Sequence, residues 1–294
     1  MRCLMYNKDI KISEIPDEIL EKGKEAIELF LNGKATGFSF LNSNEELIGY
    51  LNSRKMIMNS RSKLMYQYTS YAAFESMVSG KYLYIGNPSK MNDGLELEQS
   101  LCNSGGLFFS SFMLEKQESI AMWSMYGQPW SDGIRIGIPL KQVYSWIEST
   151  EKVYRANTLD KSYDKKEFLG KEHFKIMLSR VAYINDKGNV TCGEKRNLIL
   201  KELQSPELAG YIKDGAWSYE KEIRLKINID HDSYGAVAIE MPKGILDSIE
   251  VTCGPRFEHN KERDKLLAQF HAIDSLFYNK LKYVYCDSCK GEKK

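Results

Sequence analysis

The sequence lacks an excess of either charge. Lys and Arg total 41 against 40 Asp and Glu, for a formal net charge of +1. A broad polyelectrolyte surface for nucleic acid or membrane is therefore not encoded, although a local basic groove is compatible with this balance. A disulfide framework is also missing. The six cysteines, Cys3, Cys102, Cys192, Cys253, Cys286 and Cys289, are scattered. Cys286 and Cys289 make one CxxC with no second half, which reads as a solvated tail with two thiols rather than a zinc ribbon. The opening MRCLMYNKDIKISEIPDE carries no long apolar run and is not read as a signal peptide. No stretch reaches the roughly 18 apolar residues needed to span a bilayer. A cytoplasmic protein without membrane contact is expected. Internal repeats, low-complexity segments and glycine-rich phosphate loops are all lacking as well.

What is present is a chain of 294 residues, 43% hydrophobic and 28% charged, long enough to bury a core without disulfides or metals. Residues 17–33 follow a helical apolar pattern ending at Gly33, and a second helix is expected over 44–58. Residues 1–60 read as a helical N-terminal extension and 61–294 as the main α+β domain. In that domain KLMYQYTS, KYLYIGN, GLFFSSF, GIRIGIPL, SYEKEIRLKINI, GAVAIEMP, SIEVTCG and LKYVYCD read as strands. RVAYIN and VTCG read as a short pair. YAAFESMVSG, ESIAMWSMYG, LKQVYSWIEST, EKRNLILKELQSPELAGYIK and HNKERDKLLAQFHAI read as helices, the first capped by Ser70 and closed by Gly80 and the fourth broken near Pro206. Regular βαβα alternation is missing, which excludes a doubly wound fold and favours a mixed or antiparallel sheet core with peripheral helices.

Polar residues stand out in four places. Tyr66 to Ser70 is a strand running into a helix cap. Asn92, Asp93 and Gly94 fit an Asx turn in the loop NPSKMNDGLELE. Trp123 and Tyr126 are three apart on one helix face, a spacing that usually means core. Glu220, Glu222 and Arg224 share one face if WSYEKEIRL is a strand. Such a face is commonly solvated, but like charges on one face cost free energy unless they are solvated or used. In FFSSF, Ser110 and Ser111 must point to opposite faces, so one hydroxyl is expected in a cleft and the other on a backbone partner.

The order of these pieces (YQYTS, FESMVSGKYLYIGNP, GLFFSSF, YEKEIRL) resembles the ADP-ribosyltransferase fold with its split sheet. A more specific resemblance is to the bacterial family known as domain of unknown function 2971. It rests on Tyr66-Gln67-Tyr68-Thr69-Ser70, on Pro88 to Glu96, and on Phe109-Ser110. It continues through Met122-Trp123 with Tyr126 and Gly133, Trp217-Ser218-Tyr219-Glu220-Lys221-Glu222 with Arg224, and Ile249 to Pro255. The similarity covers about residues 64 to 270. Two departures stand out: Met91-Asn92-Asp93-Gly94 replaces the family's Phe-Asn-Asp-Pro, and Gln67 occupies the first-strand position where many transferases have His.

The resemblance implies cleavage of NAD, as a transferase or a glycohydrolase, in a toxin-like or phage-defence effector. Glu222 would stabilise the ribosyl cation and Glu220 would deprotonate the acceptor. Gln67 and Thr69 would hold the ribose or the amide. Tyr84 or Tyr126 would stack on nicotinamide, Ser110 would fix the glutamate or the ribose, and Tyr68, Asn92, Asp93, Trp123 and Arg224 would complete the NAD contacts. NAD serves here as substrate, no metal is expected, and the acceptor is a protein or nucleic acid. Three other readings compete. One is a nucleotide-binding sensor without catalysis. Another is a metal-dependent nuclease with Asp93, Glu96, Glu220 and Glu222 as ligands. The third is a purely structural set in which Trp123, Tyr126 and Trp217 are core.

Overall fold

A computed structural model describes residues 48–49, 51–60, 62–88, 106–157, 163–184, 208–229 and 235–278. In chain order the elements begin α1 (Arg54–Met58), β1 (Leu64–Ser70), α2 (Tyr71–Gly80), β2 (Tyr82–Gly86), β3 (Gly106–Met113) and α3 (Ile120–Tyr126). Then come β4 (Gly133–Pro139), α4 (Leu140–Ser149), β5 (Lys152–Ala156), β6 (Tyr163–Gly170), β7 (Phe174–Arg180), β8 (Ala182–Ile184) and β9 (Ile212–Asp214). The last are β10 (Glu222–Ile229), β11 (Ala236–Glu240), α5 (Lys243–Leu246), β12 (Glu250–Cys253), α6 (Lys261–Leu267) and β13 (Ile273–Asp274). The class is α+β with mainly antiparallel pairing, as the mixed pattern implied. Among the described residues no helix is long and apolar enough to cross a membrane.

The chain divides into two compact units. The first comprises residues 1–60, 85–111 and 154–237; the second comprises 61–84, 112–153 and 238–294. In the second unit the strands run in the order β13-β12-β4-β1. β1 and β4 pair antiparallel along their whole length, from Leu64 opposite Pro139 to Ser70 opposite Gly133. Ile134, Ile136 and Ile138 of β4 have no exposed surface. Burial of each stabilises the sheet by roughly 1.5–3 kcal/mol. On the other face of β4, Arg135 lies directly between Tyr68 of β1 and Thr252 of β12. Its guanidinium sits 4.6 Å from the Tyr66 ring centre and donates to Lys116 O and Thr252 Oγ1. Gly137 makes room for this arrangement, because a Cβ there would come within 2.9 Å of the Tyr66 ring.

Helix α2 begins where the sequence placed it, with Ser70 Oγ accepting from Ala73 N. It ends one residue later than expected: Lys81, at φ 57°, takes the left-handed position expected of Gly80. Helix α3 starts at Ser119, whose own N–H donates to Tyr68 Oη at 3.1 Å. Just before it, the buried Glu118 carboxylate accepts from Trp123 Nε1 at 3.0 Å, Ser275 Oγ at 2.5 Å and Leu276 N at 3.1 Å. One carboxylate thus ties α3 to the chain after β13.

In the first unit β10 pairs antiparallel with β7, from Ile223 opposite Arg180 to Ile229 opposite Phe174, and also pairs with β3. β8 and β9 form a separate two-stranded parallel ladder. Several expectations are corrected here. β8 pairs with β9, whereas its expected partner VTCG lies outside the described residues. Tyr211 to Lys213, expected at a helix end, turns into β9 because Ala182 N donates to Tyr211 O across that ladder. The rest of that expected helix is largely undescribed, as are the 17–33 helix and LKYVYCD. β5, β6 and β7 were not expected; in β6 the run Asp164-Lys165-Lys166-Glu167 hides a strand pattern.

Replacing Glu118 by Ala leaves the Trp123 indole N–H and the Ser275 hydroxyl buried without their acceptor. A loss of about 2–4 kcal/mol in unfolding free energy by denaturant titration is expected. A loss below about 1 kcal/mol would show that this carboxylate is not a tie point.

Candidate functional site

Strand β10 has two unlike faces. Ile223, Leu225, Ile227 and Ile229 form a buried apolar face. Glu222, Arg224 and Lys226 form the other, and they too are buried, at 4%, 0% and 1% exposure. The charged face is therefore not a solvated one. Burying charge is costly unless it is paired or hydrogen-bonded; here Glu222 is paired with Arg224 and Lys213, and Lys226 is hydrogen-bonded to a backbone carbonyl.

Arg224 holds Glu222 with two parallel bonds, Nε to Oε1 at 2.7 Å and Nη2 to Oε2 at 3.0 Å. Lys213 of β9 reaches Glu222 and Glu220 together. Its Nζ lies 2.6 Å from Glu220 Oε2 and 3.4 Å from Glu222 Oε2. The Ser111 hydroxyl donates to Glu222 as well. Burial alone would raise the Glu222 carboxyl, but Arg224, Lys213 and Ser111 together outweigh it and bring it from 4.5 down to about 2. Glu222 is thus an anion throughout the physiological range. Its backbone N–H donates to Tyr183 Oη at 2.7 Å, and burial, then the Glu222 charge, push that phenol well up, so Tyr183 stays neutral.

Local chain geometry explains how the carboxylates meet. Glu220 is not in the strand. Residues 215–220 form a 3-10 turn capped by Asp214, and Lys221 then adopts φ 44° before β10 begins. The two carboxylates converge on Lys213 through a turn rather than through strand alternation. The Lys213 ammonium lies 4.8 Å from the Trp217 ring centre, and Trp217 packs on Val181 and Tyr183. Tyr219, 6.2 Å from Trp217 between ring centres, is exposed.

The serine pair of β3 resolves by alternation. Phe109 and Ser111 share one face of β3; the Phe109 ring lies 4.1 Å from the Arg224 guanidinium, and Ser111 bonds Glu222. Ser110, buried, faces the other way with Phe108 and Phe112. The serine that fixes the glutamate is therefore Ser111, not Ser110. Lys226 completes the polar face, donating to Ala209 O at 3.1 Å with its Nζ 3.1 Å from the Tyr211 ring centre. Gly210, at φ 72°, supplies the turn between these contacts; a Cβ there would lie 3.3 Å from Phe109.

The other expected site residues sort by unit. Glu220, Glu222, Arg224 and Ser110 belong to the first unit and Gln67, Tyr68, Thr69, Tyr84, Trp123 and Tyr126 to the second. Asn92 and Asp93 lie outside the described residues. Within β1, Tyr68 faces Arg135 and Trp123, while Gln67 and Thr69 point to the opposite face, so the three do not form one ribose-binding row. Trp123 has no exposed surface and meets Tyr68 edge-on at 4.7 Å, which makes it core rather than a stacking platform. Tyr126 packs partly buried on that same cluster. Tyr84 is half-buried on β2, and burial raises its phenol. Sequence reasoning missed Lys213, Ser111, Tyr183 and Glu118. Only Ser111 carried a signal, the hydroxyl pair in an aromatic strand.

Residues 122–225 match the family model described as "Protein of unknown function (DUF2971)". That span carries Met122-Trp123, Tyr126, Gly133 and Trp217 to Arg224, the motif pieces on which the resemblance was read. No curated protein matches the chain.

Because the folded-state pKa of Glu222 is depressed, its stabilising contribution is complete above 4.5 and is lost as pH falls towards about 2. Between pH 5 and pH 2 the wild-type chain should lose on the order of 3 kcal/mol more stability than Glu222→Gln. Equal acid sensitivity in urea melts of the two proteins would contradict this account of the network.

Proposed function

We propose that the chain cleaves the nicotinamide–ribose bond of NAD, as an ADP-ribosyltransferase or glycohydrolase, with Glu222 as the fixed anion. The observation that carries this reading is the buried Glu222 carboxylate, held by paired bonds from Arg224, by Lys213 and by the Ser111 hydroxyl, which together keep it well below the usual carboxyl range. In NAD the nicotinamide ring is cationic. As the C1′–N bond breaks, nicotinamide departs with the bonding electron pair and becomes neutral, and positive charge moves to the ribosyl carbon. A preorganised carboxylate near that sugar stabilises the developing cation without reorganising solvent. Water or an acceptor hydroxyl then adds at C1′ and gives up its proton, the role assigned to Glu220. The exposed Tyr219 ring beside Trp217 offers a π-face for the cationic nicotinamide of the ground state.

A second reading is favoured by one observation. Both carboxylates are buried, with side-chain exposures of 4% for Glu220 and 2% for Glu222, as befits a scaffold that shapes a nucleotide-binding surface without turnover. Incubation of the purified chain with NAD, with and without cell lysate, separates the two. Nicotinamide release that is insensitive to chelator and falls about 10²–10³-fold in Glu222→Gln is the expected result. Glu220→Gln, checked by circular dichroism, serves if the first variant unfolds. Calorimetric NAD binding with no release under any condition would select the sensor reading, and neither binding nor release would refute both.

A further inference from the structure

The late motif Ile249 to Pro255 is not used by the NAD chemistry, yet it delivers Cys253 into a cluster of ligand-type side chains in the second unit. Cys253 ends β12 and stands directly opposite Asp274 in the parallel β12–β13 ladder. His259 comes from the segment between β12 and α6. The Cys253 sulfur, a His259 ring nitrogen and an Asp274 oxygen all lie within 4.8 Å of one another. His259 Nδ1 lies 2.7 Å from Asp264 Oδ1, and Nε2 lies 3.0 Å from Asp274 Oδ1.

We propose that Cys253, His259 and Asp274 form a binding site for a divalent cation of the zinc class, with Asp264 as the carboxylate that orients His259. Sulfur, imidazole and carboxylate together are the donor set such borderline cations prefer. A carboxylate on the second ring nitrogen is the usual support for a metal-bound histidine, since it fixes which nitrogen faces the ion.

The site rests on a well-anchored frame. Asn260 caps α6 by accepting from Glu262 N and Arg263 N. Arg263 donates to Ser131 O, Glu258 O and Asp132 Oδ1, pinning the segment that carries His259. Ser275 N donates to Cys253 O at 2.8 Å and holds β13 in place. Cys253 is buried and forms the floor, whereas the His259 and Asp274 side chains are 37% and 49% exposed. Three protein ligands with one side open to solvent leave a coordination position for water or a substrate oxygen, the pattern of a catalytic rather than a structural site. A nucleophilic role for the cysteine does not fit. Burial, then Asp274 and Asp264, push its thiol up to about 12. A divalent ion would replace the thiol proton and meet the same two carboxylates with favourable charge.

The test uses the full chain with Cys286→Ser and Cys289→Ser, treated with chelator and titrated with Co²⁺ under reducing conditions. One cobalt per chain is expected, with the visible bands of a low-coordinate site and a thiolate-to-cobalt charge-transfer band in the near ultraviolet. Cys253→Ser should abolish the charge-transfer band. Asp264→Asn should keep that band while weakening cobalt binding about 10–100-fold. A plain ion triad of His259 between two aspartates needs no thiolate, so cobalt binding without the charge-transfer band overturns the proposal. So does a band that survives Cys253→Ser, or no binding at all. If Cys253→Ser does not fold, His259→Gln and Asp264→Asn decide, because unchanged affinity in both contradicts the assignment.

Discussion

The paired bonds from Arg224 to Glu222 organise the first unit. Three separate segments converge on that pair: Ser111 and Phe109 from β3, Lys213 from β9 and Tyr183 from β8, with Lys213 also holding Glu220 from the turn before β10. The backbone joins in, since Val181 N donates to Glu222 O while Glu222 N donates to Tyr183. A buried ion pair of this kind adds little net stability over an apolar replacement of the same shape, yet it is expensive to break on one side only. Its value lies in specification. A one-residue slip of β10 would drive Ile223 into the charges and expose Glu222 and Arg224 to the apolar face.

The second unit uses the same device with other residues. Glu118 gathers an indole, a hydroxyl and a backbone amide at the start of α3, and Arg135 lies against the Tyr66 and Tyr68 rings. Polar and aromatic residues that look functional in a motif list are here partly structural. Trp123 is core, and its indole N–H is satisfied by a carboxylate five residues away. The motif pieces on which the resemblance was read therefore divide into those that close a core, such as Trp123, and those that form the Glu222–Arg224 network. The proposed chemistry draws only on the second group.

Much of the sheet was legible from alternation alone. β1, β3, β4, β11 and β12 read correctly because each alternates or runs apolar between turn residues, and Ser70 announced α2. The shared face of Glu222 and Arg224 was legible too, since strand geometry requires it. Its burial was not. A charged strand face normally means solvent, and the partner that reverses this, Lys213, arrives from nine residues upstream through a ladder no local pattern reveals. Alternation likewise showed that Ser110 and Ser111 face opposite ways without saying which one meets the carboxylate. The strand over 163–170 was missed because Asp164, Lys165, Lys166 and Glu167 suppress the period-two signal. The cluster of Cys253, His259 and Asp274 was invisible for a different reason: the three have no motif spacing, and Cys253 meets Asp274 through the β12–β13 pairing.

The fold of the first unit and the chemistry proposed for it both require Glu222 to be ionised inside the protein. Carbon-13 NMR of the glutamate carboxyls, assigned by comparison with Glu222→Gln and followed downward from neutral pH, reads this directly. The Glu222 resonance should stay at its ionised position through pH 4.5 for as long as the chain remains folded, consistent with a carboxyl held at about 2. A resonance that titrates at or above pH 4.5 in the folded protein would contradict the account.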